Sequence, residues 1–533
     1  VSGTHISVVS KRLYNLLRKK RFSYLSCLII SGIISICYGR ICGNSISTIR
    51  ACFMFIVLCI AEYLGYSYDS VTALSFIALI MCLKNPYIVL NTSFQLSFGI
   101  VFCVIFIAYP VAIQIAKNDR RVWGLRHKMS GVDRYRFSYK KKLITYMYVS
   151  FLVQLTSVPI IAYIFYEIPL YSFFLNMLLL PVFPVLLISG LIGATLLSFG
   201  EPFISRLLLF VCHFMIYKFE EISDFSTRLP FSRIVLGRLG VIQLVLFYGI
   251  ILSVFLKFYR FERRYRVLAI ILSIIVLGFP KRRGFSINML YVGQGDGIHI
   301  SMGHDVDLFV DGGSTSEKEL GKYTIMPYLK YHAIRDIDVW YVTHSDMDHI
   351  SGLIELLEAG FPIGEIQTSA QIFEDKGFRK IEELAKKNKT RIRLVKSYDS
   401  MRIGKDCIEI LAPDIDYHSE DINDYSLIFS LSHVKSNGKK YKALFTGDIS
   451  GEVESELLDR FSEVDLLKAC HHGSNNSNSY AFLKKISPRI CIISAGENNR
   501  YHHPGKEALE RLNKVCEKVI CTIENGQISI RVK

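Results

Sequence analysis

The densest set of potential metal ligands in the sequence lies in the segment 343–349, Thr-His-Ser-Asp-Met-Asp-His. It directly follows an apolar run, 337–342, that has the length and composition of a buried strand. On a tight loop, alternate side chains point to different sides, so the segment can contribute ligands to two adjacent metal ions. Its four candidate ligands are His344, Asp346, Asp348 and His349. Unrelated surface residues rarely show this spacing, and we predict a metal centre here.

Further candidates lie at wide spacing along the second half of the chain. They are Asp448, the pair His471 and His472, and His503, and each comes just after a predicted strand. Because α/β sheets place their active sites at the carboxyl ends of strands, these residues are expected to converge. The alternative of unrelated surface residues is weakest for the 343–349 segment and strongest for His503. Lys468 is a candidate donor to a developing oxyanion, but we expect it to face solvent.

The elements that would position these residues follow residue 284, where short β-type runs alternate with amphipathic helices. This alternation predicts an α/β sandwich, and about 250 residues suffice for one core. The predicted strands are 285–291, 297–302, 306–310, 337–342, 408–412, 427–434, 442–445, 464–468, 490–494 and 519–524, with helices over 355–358 and 379–388.

The first half of the chain has a different composition. The whole sequence of 533 residues is 51% hydrophobic and 21% charged, with a mean hydropathy of +0.31. Residues 1–284 contain 32 Lys and Arg against 10 Asp and Glu, whereas the remainder contains 31 against 37. These values exclude a wholly soluble or disordered protein. The net charge of +16 is no argument for nucleic-acid binding, because basic clusters also orient membrane helices.

Apolar runs separated by basic clusters predict seven to nine membrane crossings. The runs are 23–39, 51–68, 72–90, 93–115, 143–165, 172–199, 204–218, 240–256 and 267–280, of which 72–90, 204–218 and 267–280 are short enough to be re-entrant or interfacial. Placing the basic clusters at 11–21, 117–142 and 260–266 inside the cell puts residues 285–533 outside. We therefore predict a multi-pass protein of the cytoplasmic membrane with an extracellular second half.

Polar and helix-breaking residues within these runs are candidates for a transport pathway. Gln95 lies in the segment 93–98 (SFQLSF), Asn176 in the run 172–199, and both Pro159 and Pro181 interrupt apolar stretches. Intramembrane polar groups are costly unless they face a partner or a wet cavity. The alternative is hydrogen bonding between helices and ordinary kinks.

The motifs together resemble the metallo-β-lactamase superfamily and, more specifically, the ComEC family of competence proteins. The segments that carry this resemblance are 291–296 (YVGQGD), 310–313 (VDGG), 343–349, 423–427 (NDYSL), 445–448 (FTGD), 471–474 (HHGS) and 496–504 (GENNRYHHP), with 1–5, 85–98, 157–159, 176 and 181 in the first half. The resemblance implies a polytopic α-helical membrane domain, residues 1–280, followed by an αββα metallo-β-lactamase-like sandwich, residues 285–533. It also implies that the chain is truncated at its N-terminus.

The resemblance also implies roles for individual residues. One metal would be held by His344, Asp346 and a bridging Asp448, and the other by Asp348, His349, Asp448 and one of the pair His471 and His472. His472 is the preferred ligand of that pair, with His471, His503 and Asn499 near the substrate and Asp348 also in a catalytic role. Residues expected to support the ligands or shape their loops are Gln294, Asp296, Asp311, Asp424, Ser426 and Ser474.

The sequence departs from the superfamily pattern at the first metal position. Asp346 stands where the superfamily has a second His, and Asp424 or Ser426 occupies the place of a later His. Such an oxygen-rich set suits Mg²⁺ or Mn²⁺ better than Zn²⁺, and the first metal would be weak or absent. We therefore expect one or two divalent ions: Mn²⁺, Mg²⁺ or Zn²⁺.

By this resemblance, the chain is a DNA-uptake channel of natural transformation with a nuclease that degrades the non-transported strand. Its expected partners are single-stranded DNA in the channel, double-stranded DNA at the nuclease, the lipid bilayer, a DNA receptor and a cytoplasmic motor. One alternative is a membrane-tethered metal-dependent phosphodiesterase without a transport role. The other is a transporter whose metal-binding domain is catalytically inert.

Overall fold

A computed structural model describes residues 6–108, 131–256, 263–278, 284–303 and 306–532. The chain forms two compact units, Val1–Phe279 and Pro280–Lys533. The first five residues and most of the basic segment 117–142 lie outside the described residues.

The N-terminal unit is helical. Its α-helices in the described residues are α1 (Arg12–Lys19), α2 (Tyr24–Ile41), α3 (Ile46–Leu64), α4 (Ser70–Lys84), α5 (Thr92–Cys103), α6 (Gly131–Phe165), α7 (Ser172–Ser198), α8 (Pro202–Arg228), α9 (Val241–Leu256) and α10 (Arg263–Leu277). Polar side chains cap several of these helices: Ser23, Ser45 and Asp69 each accept a hydrogen bond from a backbone amide of the first turn. A short antiparallel pair, β1 (Glu167–Pro169) and β2 (Arg233–Val235), joins the loops that follow α6 and α8.

Four helices in the described residues are long and apolar enough to cross a membrane: Tyr24–Ile41, Ile46–Leu64, Pro181–Ser198 and Pro202–Arg228. Shorter apolar helices cover Ser70–Lys84, Thr92–Phe106, Ser150–Phe165 and Val241–Ser253. The run 204–218, for which an interfacial position was considered, lies within the 27-residue α8. Pro159 and Pro181 lie inside continuous helices rather than at breaks. The number of crossings stays a prediction.

The C-terminal unit contains two seven-stranded mixed sheets. The strands of the first are β3 (Ser286–Met289), β4 (Gly297–Gly303), β5 (Val306–Asp311), β6 (Ile337–Tyr341), β7 (Ile363–Thr368), β8 (Arg391–Leu394) and β16 (Ile528–Arg531), in the order 16-3-4-5-6-7-8. The strands of the second are β9 (Ser400–Ile403), β10 (Asp406–Ala412), β11 (Ile428–Val434), β12 (Lys440–Phe445), β13 (Leu466–Lys468), β14 (Ile490–Ile493) and β15 (Lys518–Cys521), in the order 15-14-13-12-11-10-9.

The two sheets pack face to face around one apolar core. Tyr341 of the first sheet stacks on Phe429 of the second, with ring centroids 4.8 Å apart. Ile287, Val310 and Phe445 are buried in the same cluster.

Helices cover the outer faces of both sheets. They are α11 (Met326–Tyr331), α12 (Met347–Glu358), α13 (Ala370–Glu374) and α14 (Arg379–Asn388) on the first sheet, and α15 (Gly451–Glu456), α16 (Tyr480–Ile486), α17 (Lys506–Val515) and α18 (Thr522–Asn525) on or beside the second. The predicted αββα sandwich is therefore confirmed, as is a helical first half whose apolar helices are compatible with a membrane domain.

Candidate metal centre

The candidate ligands meet at one edge of the sandwich because their strands end there. Strands β5 to β8 run parallel, as do β12 to β15. His344 follows β6, Asp448 follows β12, and the pair His471 and His472 follows β13. The next turn brings His349 inward, since it lies in the first turn of α12, whose N-cap is Asp346.

Asp448 lies at the centre of the cluster. Its Oδ2 atom is 3.1 Å from Nε2 of His472 and 3.3 Å from Nε2 of His349. Nε2 of His471 is farther away, at 3.9 Å, and this side chain is 32% exposed, whereas His472 and His349 are buried. The structure thus brings His472 closer to the centre than His471, in line with the preference expected from the sequence.

Four overlapping groups of three described residues have ligand atoms within 4.8 Å of one another. They are His344, His349 and Asp448; Asp348, His349 and His472; Asp296, Asp448 and His472; and Asp296, Asp311 and His349. Asp346 belongs to none of the four: its side chain is 49% exposed and its Oδ2 lies 4.0 Å from Nε2 of His344.

The histidines are oriented as metal ligands usually are. Nδ1 of His349 hydrogen-bonds Oδ2 of Asp311 at 2.9 Å, and Nδ1 of His472 lies 3.1 Å from the carbonyl oxygen of Ser494. Both Nε2 atoms are buried and make no hydrogen bond within the described chain. A carboxylate or carbonyl on one ring nitrogen leaves the other free to ligate, so these residues fit a divalent metal.

Asp311 is itself fixed by the residue before His344. The backbone amide and the hydroxyl of Thr343 donate to its two carboxylate oxygens, both at 2.8 Å. The same hydroxyl lies 3.0 Å from Nδ1 of His344. Thr343 therefore links the orientation of His344 to that of His349, a role that the sequence analysis missed.

The expectation that Lys468 faces solvent is wrong. The side chain is buried, its ammonium group forms an ion pair with Asp296, and it lies 3.1 Å from both Oδ1 of Asp448 and the carbonyl oxygen of Gly447. The physical reason is that β13 is an inner parallel strand covered on both faces, so its last residue has no route to water.

The buried carboxylates and the neighbouring cationic side chains of this cluster stabilise each other's charged forms. Burial alone would raise the pKa of Asp448, but His472, Lys468 and His349 hold it well below its usual range. Burial alone would lower the pKa of His472, but Asp448 and Asp296 raise it well above the usual value. The same balance raises the pKa of Lys468, where Asp296 and Asp448 outweigh burial. Buried carboxylates thus dominate the site and favour a bound cation.

A second layer of residues borders the exposed side. The rings of His471 and His503 lie 5.4 Å apart, and Tyr501 stacks on His503 at 5.7 Å. Burial and the neighbouring His472 and His471 lower the pKa of His503 to about 4, so this imidazole is neutral at physiological pH. The side chain of Asn499 bonds the carbonyl oxygens of Gly496 and His503 and accepts from the amide of His503, which fixes the loop.

The remaining predicted residues support the loops around the cluster. Ser426 Oγ accepts from the amide of Asp448 at 3.1 Å and lies 3.4 Å from Nδ1 of His344. Asp424 accepts from the amide of Ser450 at 3.2 Å and from the hydroxyl of Ser419 at 2.9 Å.

Two other predicted residues act on neighbouring turns. Gln294 Oε1 accepts from the amide of Gly496 at 3.3 Å. The backbone amide of Ser474 donates to the carbonyl oxygen of His471 at 2.8 Å and so closes a turn. Both residues therefore shape the loops beside the histidine pair.

The polar residues predicted for a pathway make local contacts. Gln95 donates to the carbonyl oxygen of Val89, at 3.0 Å. Asn176 donates to Gln154, which in turn donates to Ser172 and so links α6 to α7. These contacts match the alternative of interhelical hydrogen bonding for Asn176.

Comparison with known sequences identifies the class of each half. The model of the Competence protein family matches residues 1–261, and that of the metallo-beta-lactamase superfamily matches residues 305–408. The chain is 25% identical over its full length to ComE operon protein 3 of Bacillus subtilis, covering 67% of that protein. It is 22% identical over 99% of its length to Recombination protein 2 of Haemophilus influenzae, again covering 67%.

Solved structures similar to the chain include YhfI, a metallo-beta-lactamase fold protein of Bacillus subtilis. It is 14% identical with a TM-score of 0.33, over 46% of this chain and 99% of YhfI. A diphosphatase of the PhnP family is 11% identical with a TM-score of 0.31, over 47% of this chain and 98% of the diphosphatase. The matches of the two family models, over residues 1–261 and 305–408, and of the curated relatives bear out the predicted resemblance to the ComEC family.

Proposed function

We propose that this chain is a DNA-uptake channel of natural transformation that translocates one DNA strand across the cytoplasmic membrane. Its membership of a competence protein family supports a role in DNA uptake, and the apolar helices support a location in the membrane. In this proposal the metal centre faces the outside and hydrolyses the strand that is not transported. The DNA receptor and the cytoplasmic motor are the expected partners.

The observation that carries the hydrolase is the position of Asp448 between two buried imidazoles. Its Oδ2 lies within 3.3 Å of Nε2 of both His349 and His472, and neither nitrogen makes a hydrogen bond within the described chain. Asp448, His349, His344, His472 and Asp348 would hold the metal ions. A divalent metal supplies positive charge to a phosphodiester and makes water a better nucleophile at neutral pH.

The protein's own residues supply the remaining functions. Lys468 and Asp311 hold Asp448 and His349 in orientation, so that the ligands need little rearrangement. His471 and the neutral His503 border the exposed side, where they are placed to contact a phosphate oxygen or a leaving group. Asn499 fixes the loop that presents His503.

A basic surface beside the centre supports a nucleic-acid substrate. The segment 376–396 contains nine Lys and Arg against two Glu, although the second half of the chain is acidic overall. It begins next to the segment 343–349 (the active-site loop), because the hydroxyl of Ser345 in that loop donates to Asp375 at 2.6 Å. Lys376 and Arg379 are exposed there. Such a surface attracts the phosphate backbone without reading its sequence.

The test is a cleavage assay with the full chain purified in detergent. Single- and double-stranded DNA are incubated with Mn²⁺, Mg²⁺ or Zn²⁺, and Asp448→Asn is compared with His418→Ala, which alters an exposed histidine outside the centre. Metal-dependent cleavage that is lost in Asp448→Asn and retained in His418→Ala supports the proposal. Cleavage only of small phosphodiesters favours the membrane-tethered phosphodiesterase.

The inert metal-binding domain remains the second candidate, because Asp346 is half exposed and outside the groups of three ligands. It predicts that the protein binds metal, cleaves neither DNA nor small phosphodiesters, and supports DNA uptake even as Asp448→Asn.

A further inference from the structure

Arg50 is a buried cation within an apolar helix. It lies on α3 (Ile46–Leu64), is 7% exposed, and shares that helix with one other charged residue, Glu62. Glu62 accepts a hydrogen bond from the hydroxyl of Tyr14 at 2.6 Å. Arg50 and Glu62 are twelve positions apart, about 18 Å along the helix axis, so Glu62 does not neutralise Arg50.

The contacts of Arg50 contain no anion in the described part of the chain. Its Nε donates to Oγ of Ser97 on α5 at 2.8 Å, and its Nη1 lies 3.9 Å from the sulfur of Met54. The ring of Phe98 lies 5.9 Å from the guanidinium carbon. Among the described residues no carboxylate pairs with Arg50, and the titratable side chain that acts on it is the phenol of Tyr68. The guanidinium has five N–H groups and therefore has some to spare.

These groups have the chemistry of a phosphodiester site. A buried cation without a counter-ion is costly, and inside a membrane domain it marks a functional position by default. The planar guanidinium matches two phosphate oxygens at once. The hydroxyl of Ser97 accepts from Arg50, so its own hydrogen remains available to donate to an anion.

We propose that Arg50 and Ser97 bind a backbone phosphate of the DNA strand that passes through the N-terminal unit. The inference rests on the proposed function, and it names a contact of the transported strand that no family motif assigns. A single strand is favoured over a lipid headgroup because Arg50 is enclosed by side chains of α3 and α5 rather than exposed on the outside of the helices. Cationic groups beside aromatic rings are typical of single-strand paths.

The first experiment measures transformation in a competent host in which this chain replaces the host's own protein. Arg50→Gln is compared with Arg50→Lys and with Arg40→Gln, which alters an exposed arginine at the end of α2. We expect Arg50→Gln to lower transformation about ten- to a hundredfold, the cost of losing a charge-assisted hydrogen bond. Arg50→Lys should recover part of the loss and Arg40→Gln should match the unaltered chain. Equal transformation by Arg50→Gln and the unaltered chain would overturn the proposal.

A binding measurement decides the matter if Arg50→Gln accumulates poorly. The full chain carrying Asp448→Asn, to prevent cleavage, is titrated with a short single-stranded oligonucleotide, with and without Ser97→Ala. We expect Ser97→Ala to weaken oligonucleotide binding severalfold, and the single variant Ser97→Ala to keep the metal content of the unaltered chain. Unchanged oligonucleotide binding would overturn the proposal. An effect of Ser97→Ala only on the retention of anionic lipid in nanodiscs would assign the site to a headgroup and also overturn it.

These outcomes are separable from failure of the proposed function. If the unaltered chain supports neither transformation nor oligonucleotide binding, the uptake proposal itself fails. If the unaltered chain supports transformation and oligonucleotide binding, and the Arg50 and Ser97 variants do so equally well, only this inference fails.

Discussion

The ammonium group of Lys468 lies 3.1 Å from Oδ1 of Asp448 and so occupies one oxygen of the central carboxylate. The other oxygen faces Nε2 of His472 and His349. Because Lys468 is also paired with Asp296, the carboxylate cannot rotate without breaking a buried ion pair. Lys468 thus fixes which oxygen of Asp448 is available to a metal.

Replacing Lys468 by Met is expected to destabilise the protein strongly, because two buried carboxylates lose their cation. Breaking one partner of a buried ion pair costs about 3–5 kcal/mol. The measurement is the denaturation midpoint of the full chain without added metal. Adding Asp296→Asn to Lys468→Met removes one of the orphaned charges and should recover part of the loss. If Lys468→Met is as stable as the unaltered protein, the proposed role of Lys468 is wrong.

Asp311→Asn is expected to weaken metal binding by about ten- to a hundredfold, because the residue orients His349 through a 2.9 Å hydrogen bond. Metal affinity is measured by titrating the metal-free protein. The matched control is Asp406→Asn, since Asp406 pairs with His433 at 2.8 Å outside the centre. Equal affinities for the two variants would contradict the role given to Asp311.

The two adjacent histidines are expected to separate into distinct functions. His472→Ala should reduce the metal content of the purified protein, because its Nε2 lies 3.1 Å from Asp448. His471→Ala should keep the metal and lose cleavage activity, because its side chain, 32% exposed, borders the exposed side of the centre. Metal analysis and the cleavage assay on the same samples distinguish them. Loss of metal in His471→Ala alone would reverse the assignment.

The basic surface beside the active-site loop is expected to bind DNA by charge. Lys376→Ser with Arg379→Ser should weaken the binding of duplex DNA. The slope of the logarithm of the binding constant against the logarithm of the salt concentration should become less steep by about 1 to 2, the value for two lost phosphate contacts. Lys439→Ser with Lys440→Ser is the matched control, because these residues lie at the opposite end of β12 from Asp448. An identical salt dependence in both pairs would exclude the 376–396 segment as a DNA-binding surface.

Much of the sandwich follows from local sequence patterns. The strands of the core, such as β6 and β12, contain mostly apolar residues, and ligands follow them within a few positions. Four strands were missed: β7, β8, β9 and β16. Three of them, β8, β9 and β16, lie at sheet edges, where charged side chains are tolerated and the apolar pattern is weak.

The contacts of Lys468 and Arg50 depend on tertiary structure. Lys468 ends an inner strand whose two faces are covered, and Arg50 is enclosed only when α5 packs against α3. Neither burial is visible in a local window of sequence, because each partner lies tens of residues away. Asp346 is the N-cap of α12, and its side chain is 49% exposed with Oδ2 4.0 Å from Nε2 of His344, so its role as a ligand stays a prediction.

The most direct test of the account follows the fate of the two strands of one duplex during uptake. Duplex DNA with a different label on each strand is supplied to a transformable host carrying the unaltered chain or Asp448→Asn. We predict that the unaltered chain takes one label into the cell and releases the other outside as nucleotides, and that Asp448→Asn abolishes this release. Release at the same rate in Asp448→Asn, or uptake of both labels together, would contradict the account.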